Sequence, residues 1–512
     1  MRTTLAPGRL GAAAVAFFAL AATAPIAVLI NVVPAAYAVG GGPLVPLSFL
    51  AVGLVLICFA AGWSAMANRA PFAGAMYTYV TRGLGRPAGT GAAWLALACY
   101  QSIQLGLYGM IGVAAAPLLR SWFGIGAEWW MVAAACWFLV ALCGPIRSEV
   151  GSGLIALLVL AQVAVAAGFT AANLIDPAGG GLTRATILPA DPGHLDTTTL
   201  GLLLAVALLA FAGFETTGPY AEESIRPRRD PGLATYAVVA TLTVLLAAAS
   251  WSMSAAAGAE RIAELSGARG SELLFDLAAE RLAPWAVTLG RMMLLTGLFA
   301  AALALHQAIA RYLYALGRER VLPAGLGRTA SRTLAPRAAS LTQSAVAALL
   351  LAGAAGVGVA DPPLTGRRLV IAGGLGLLVL LLVTSVAALL HLNQVPDGEG
   401  AWTRFVAPVL STVGLGAVGY LAFRDLGALL GVRGEVWVLP VALAVVALLG
   451  VVHALALRGA RPVIYAGIGQ GGAPVVVTPK LPLPREPEET EKTPDPQEPR
   501  EPGAHRPERV KR

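Results

Sequence analysis

Glu215 sits inside a long apolar run, in the stretch Phe211-Ala212-Gly213-Phe214-Glu215-Thr216-Thr217-Gly218-Pro219-Tyr220. An ionisable group among residues that favour hydrocarbon marks a pathway or a gate by default, because leaving it unpaired there is costly. Gly213, Gly218 and Pro219 flank it. Proline removes a backbone donor and clashes with the preceding turn, and glycine relaxes the chain, so unwinding is expected around Glu215. The acid could gate, handle a proton, or simply pin the broken helix in shape. Thr23, Pro25 and Asn31 give a weaker counterpart in the first apolar run. Broken half-helices present free N–H groups to an anion and free carbonyls to a cation, and an amino acid zwitterion needs both. Two proline kinks in packed helices would have the same spelling, and for the first run that reading stays open.

His306 lies in a further apolar run and is a candidate for the cavity wall, although a lone histidine there can equally be hydrogen-bonded to a neighbouring helix. Gln101, Gln104 and Gln162 read as polar glue between helices, each able to touch substrate or water. His194, His306, His391, His453 and His505 are scattered singly, so the clustered His, Asp or Ser of a membrane enzyme is missing. No phosphate-binding loop points to ATP-driven pumping. Cys58, Cys99, Cys136 and Cys143 fall in apolar runs and are expected to pack rather than pair or bind metal. The chain is therefore not read as an enzyme, and no cofactor or metal is expected.

The elements that hold these residues follow from composition. Of 512 residues, 57% are hydrophobic and 12% charged, against roughly 25% charged in soluble domains. Runs near the length a bilayer requires recur at 11–37, 43–66, 88–118, 127–143, 150–173, 198–222, 233–257, 286–315, 338–358, 367–391, 403–423 and 435–457. An all-α integral membrane protein of about twelve transmembrane helices is expected. Arg2, Arg9 and Ala22-Thr23-Ala24 also mimic a cleaved secretory signal, but Pro25 after the cut disfavours it.

The net charge of +8 does not imply a nucleic-acid partner. Arg69, Arg82, Arg86, Arg147, Arg226, Arg228, Arg229, Arg318, Arg320, Arg328, Arg332 and Arg337 fall in loops on one side, and positive loops face the cytoplasm. Asp176, Asp191, Asp196 and the acids from Glu260 to Glu280 fall on the other. This places the chain in the cytoplasmic membrane with both termini cytoplasmic. The loop from Asp176 to Asp196 should lie outside the bilayer, and 259–281 should form a short amphipathic surface helix. From 467 to 512 the chain turns to Pro, Glu, Arg and Lys and is expected to be a disordered cytoplasmic tail.

The span 6 motif, followed by Glu222-Glu223-Ser224-Ile225-Arg226-Pro227-Arg228-Arg229-Asp230-Pro231, resembles the amino acid-polyamine-organocation permeases. That family has an aromatic-x-Gly-x-Glu break, an acidic pair and a basic loop ending near proline. Pro71, Gly74, Tyr77 and Tyr79, then Gly85, Gly89, Gly91 and Trp94, look like the family's loop between spans 2 and 3. The run from His306 through Arg311, Tyr314, Arg318, Glu319 and Leu322-Pro323 is similar to its span 8 and following loop.

The resemblance covers roughly residues 10 to 457 and implies alternating access in a five-plus-five inverted repeat. The organisation expected is a cytoplasmic segment 1–10, repeats at 11–173 and 198–391, and peripheral spans at 403–457. Carried over by position, backbone N–H groups near Thr23, Ala24 and Ile26 would hold the substrate carboxylate. Pro25 lies among them with no N–H to give. Carbonyls near Leu209 and Ala212 would take the amino group, with Gly213 and Phe214 at the break and Glu215 and His306 as coupling or gating residues. Span 1 departs from the family's Gly-x-Gly, and span 5 carries Gln162 where some proton-coupled members have lysine.

The function expected is secondary transport of amino acids by proton-coupled symport or exchange. Alternatives are a carrier of polyamines or other organic amines, or a transporter-fold amino acid sensor. The partners expected are a small amino acid or amine, the lipid bilayer and protons.

Overall fold

The computed structural model describes residues 4–146, 148–186, 196–432 and 434–472. Arg147, Asp191, His194 and the tail from 473 onward lie outside the described residues. A chain this apolar must close its backbone hydrogen bonds within each segment, and helices do so without leaving an edge. The regular structure among the described residues is accordingly helical, apart from one isolated parallel β-bridge between Leu10 and Ser224.

The helices are α1 Ala12–Thr23, α2 Pro25–Ala36, α3 Leu44–Arg69, α4 Met76–Leu84, α5 Arg86–Phe123, α6 Trp129–Cys143, α7 Ser148–Ile175, α8 Thr197–Ala210 and α9 Asp230–Ala257. They continue as α10 Ile262–Arg269, α11 Leu273–Arg281, α12 Pro284–Arg318, α13 Arg337–Val357, α14 Pro362–Gln394, α15 Ala407–Arg424, α16 Leu426–Leu430, α17 Val438–Ala460 and α18 Pro462–Gly467. Among the described residues, eleven stretches are long and apolar enough to cross a bilayer, α1 with α2 and α8 with the 3-10 turn after it each counting once. The fourth expected span is α6, which has 15 residues. At about 1.5 Å per residue it falls short of a hydrocarbon core about 30 Å thick.

Small residues set the helix contacts, as expected where lipid supplies no hydrophobic drive for association. A Cβ on Gly83 of α4 would lie 2.2 Å from the Ala387 carbonyl oxygen on α14, and one on Gly450 of α17 would lie 2.7 Å from Gly91 Cα on α5. Gln343 of α13 donates to both Gln101 (2.6 Å) and Gln104 (2.7 Å) of α5, and Gln104 donates to the Ala302 carbonyl of α12 at 2.9 Å.

Two expectations need correction. Residues 259–281 form two helices rather than one, because Gly270 turns the chain at φ +52, and Leu273, Leu274, Phe275 and Leu277 are buried instead of lying on a surface. The first residues assigned to the tail are packed: Ile468 is fully buried. Its neighbourhood joins the end of the bundle where the segment before α1 also lies, called the terminal face below.

Candidate functional site

Pro25 cannot donate and cannot follow another helical turn, so α1 stops at Thr23 and Ala24 takes the left-handed conformation at φ +48. Proline is well placed as the first residue of α2. Val28 N–H bonds the Ala24 carbonyl at 3.1 Å, which leaves Ile26 and Ala27 in the first turn, where a helix offers no acceptor. Thr23 Oγ1 donates to the Leu20 carbonyl at 2.8 Å, so its hydroxyl is spent within α1.

α8 stops at Ala210 for a different reason. Gly213 adopts φ +115, which side-chain-bearing residues rarely reach, and a 3-10 turn carrying Pro219 runs from Phe214 to Glu223. The two breaks touch: a Cβ on Gly213 would lie 2.8 Å from the Ala22 carbonyl carbon and 2.9 Å from Thr23 N. Leu209, expected to offer its carbonyl, already accepts Ala212 N–H at 3.2 Å. Phe214 meets Phe59 edge to face at 5.8 Å.

Glu215 is 1% exposed and divides its oxygens between two tasks. Oε2 accepts the Gly213 N–H at 2.9 Å, which pins the break, while Oε1 has no hydrogen-bond partner in the protein. The hydroxyls of Tyr100 on α5 and Tyr312 on α12 lie beside it, their ring centroids 5.8 Å apart. Gln162 of α7 is 1% exposed with both amide atoms unbonded. It faces Gly297 of α12, where a Cβ would meet Gln162 Oε1 at 2.7 Å and Ile26 at 3.1 Å. Each buried unbonded polar group costs about 1–3 kcal/mol. These groups gather around the two breaks.

His306 is placed elsewhere. Its Nε2 is 3.0 Å from Ser340 Oγ on α13, and Gly144 after α6 packs against the same ring. The structure thus gives it a helix-bridging hydrogen bond rather than a position at the breaks.

Between the breaks and the terminal face the path is filled. Phe18 stacks on Tyr220 with centroids 4.5 Å apart, and the Arg311 guanidinium lies 4.1 Å over the Tyr220 ring. Arg311 Nε donates to Glu223 at 2.6 Å, and Arg318 Nη2 to Glu222 at 2.5 Å. Glu222 also accepts Ala73 N–H at 2.9 Å, while the Glu223 carbonyl accepts N–H groups from Arg9 (2.9 Å) and Leu10 (3.0 Å). The acidic pair was visible in the sequence, and Arg311 and Arg318 are two helical turns apart on one face of α12, which was the available signal for this cluster. Tyr100 and Tyr312 carried no such signal.

A multi-spanning helical bundle with two interrupted helices meeting at a buried carboxylate defines a membrane transporter. A sequence model of the amino acid permease family matches residues 14–452, and the chain belongs to that family. No curated protein matches it.

Proposed function

We propose that this permease is a secondary active transporter that moves an amino acid across the cytoplasmic membrane, coupled to protons or by exchange. The observation that carries the reading is the contact of the two breaks at Gly213 and Ala22, with the free oxygen of Glu215 beside them. In this reading Thr23, Ala24, Pro25 and Ile26 shape the carboxylate end of the site, the N–H groups of Ile26 and Ala27 do the binding, and the α8 end from Ala212 to Phe214 receives the ammonium group. Half-helix dipoles make both ends complementary to a zwitterion.

In this reading the terminal face is cytoplasmic, because the arginines around α4 and in the loops preceding α9 and α13 lie on that side. Alternating access then consists of opening the Phe18, Tyr220, Arg311 and Glu223 closure on one side while the outer end, under α10 and α11, shuts. Glu215 couples the two: its free oxygen can take a proton, and its bonded oxygen holds the break. A single central carboxylate suits a monoamine better than a polyamine, which calls for several.

Purified protein in proteoliposomes, screened with labelled amino acids, monoamines and polyamines under imposed proton or sodium gradients, tests this. Amino acid accumulation driven by an inward proton gradient or by internal substrate is the expected result. Glu215→Gln should insert normally yet lose at least about tenfold in uptake, as expected for a charge engaged in gating or proton transfer. Wild-type uptake across pH in that variant would sink its role.

A further inference from the structure

α17 leads into α18 and then into Ile468-Gly469-Gln470-Gly471-Gly472, whose composition alone would leave it unstructured. It folds back instead onto α4 and the end of α12. Glu319 accepts Gly469 N–H through Oε2 at 3.0 Å and Gly471 N–H through Oε1 at 2.9 Å. Both glycines have positive φ, +74 and +70, which lets their N–H groups converge on one anion. That anion is the protein's own carboxylate, fully buried.

The fit around the two glycines is close. A Cβ on Gly471 would lie 2.3 Å from the Phe72 ring, and one on Gly469 would lie 2.7 Å from the Thr81 methyl. Arg86 Nη2 donates to the Ala466 carbonyl at 3.1 Å, and its guanidinium sits 5.4 Å from the Tyr465 ring centroid. Every element the segment grips belongs to the closed terminal face. Arg318, beside Glu319, holds Glu222, and Glu222 accepts the N–H of Ala73, the neighbour of Phe72.

We propose that residues 462–472 are a built-in strap, a Gly-x-Gly segment that docks on Glu319 and Phe72, holds the terminal face shut and must release before it opens. The inference rests on the transport reading and on the terminal face being cytoplasmic. Two arrangements follow from the chemistry. Docked, Glu319 has both oxygens satisfied by the strap. Released, it keeps the Tyr77 hydroxyl and Arg318 beside it but loses two backbone donors and must find water, because a buried carboxylate short of donors is strongly disfavoured. Strap and gate therefore switch together rather than sliding by degrees.

The test uses the full chain with its four cysteines replaced and one reporter cysteine introduced. Thr81→Cys reports the strap, since Thr81 is 8% exposed beneath Gly469, and Ser224→Cys reports the gate, since Ser224 is 1% exposed against Leu10. Each is labelled in inside-out vesicles with a membrane-impermeant maleimide, with and without Glu319→Gln or Gly471→Leu. The first replaces one acceptor by an N–H2 facing a glycine N–H. The second forces a side chain into Phe72.

Either change should raise labelling of both reporters about tenfold, the shift expected when a closed state loses a strap worth one decade of equilibrium. If Thr81→Cys becomes reactive while Ser224→Cys does not, the strap docks without gating and the proposal fails. If neither becomes reactive in either variant, the strap does not act as a latch. The labelling needs no substrate, so a parent protein that moves no solute would refute the transport reading while leaving this result legible.

Discussion

Gly213 carries two constraints that a single substitution separates from each other when set against a second glycine. Its φ of +115 is unfavourable for any side chain, and its missing Cβ lies 2.8 Å from the backbone of Ala22, which cannot swing aside as a side-chain tip would. Gly258 also has a positive φ, +87, with ψ 135 in place of −20, but a Cβ there would meet only Ala178 Cβ at 3.7 Å. Each Gly→Ala change should therefore cost about 1–3 kcal/mol in thermal stability through backbone strain, with uptake retained at Gly258. Gly213→Ala should in addition lose uptake, since it wedges the breaks apart; melting in detergent and proteoliposome uptake check both. The sequence announces Gly213 and Glu215, because glycine, proline and an acid in an apolar run violate the local rules of a buried helix. It does not announce Tyr100 or Tyr312, which look like ordinary aromatic residues until helices distant in the chain bring them together. His306 shows the converse: a polar residue conspicuous in the sequence whose bond to Ser340 takes it away from the breaks.

At the scale of elements, the bilayer makes spans easy to read and surface segments hard. The apolar runs fell on helices, with breaks inside the first and the sixth, because hydrocarbon favours a backbone that closes its own hydrogen bonds. The segment 259–281 was harder, since a hydrophobic pattern among charges does not reveal that Gly270 divides it or that Leu273 to Leu277 turn inward. Some of the ties between elements are charged, and two of these make predictions. Arg311 and Glu223 are both under 5% exposed, so Arg311→Met should destabilise by about 3–5 kcal/mol by removing the buried guanidinium that Glu223 faces, and adding Glu223→Gln should recover part of that loss. A double-mutant cycle of melting temperatures in detergent measures the coupling.

Arg69, at the end of α3, holds Glu399 between α14 and α15 with bonds of 2.7 and 2.5 Å, and also reaches the Val395 carbonyl. The guanidinium keeps the Glu399 carboxyl below its ordinary 4.5. A depressed carboxylate stabilises the fold above its unfolded value and loses that contribution as pH falls through its lower folded value. The melting difference between the parent and Glu399→Gln should be constant from neutral pH to about pH 5 and shrink below about pH 4. A difference independent of acid would show that the pair adds nothing.

Across the whole molecule, a small number of contacts at the terminal face join segments that lie far apart in the chain. The strand-like pairing of Leu10 with Ser224, with Ile225 N–H donating to the Leu10 carbonyl at 2.8 Å, ties the segment before span 1 to the end of span 6. Those are the two interrupted spans, so a carrier that opens on this side must part them. Residues facing each other across a bridge lie within the Cα separation of about 4.4–6.8 Å that a disulfide accepts. With the native cysteines removed, Leu10→Cys combined with Ser224→Cys should cross-link on mild oxidation. The oxidised protein should lose steady uptake while still binding substrate offered from the opposite side, and reductant should restore transport to the level of the unlinked protein. Binding measured by scintillation proximity, alongside uptake in the same preparation, separates a locked carrier from a damaged one. Continued transport by the cross-linked protein would mean that the terminal face does not open between these two segments, and that the path runs elsewhere in the bundle.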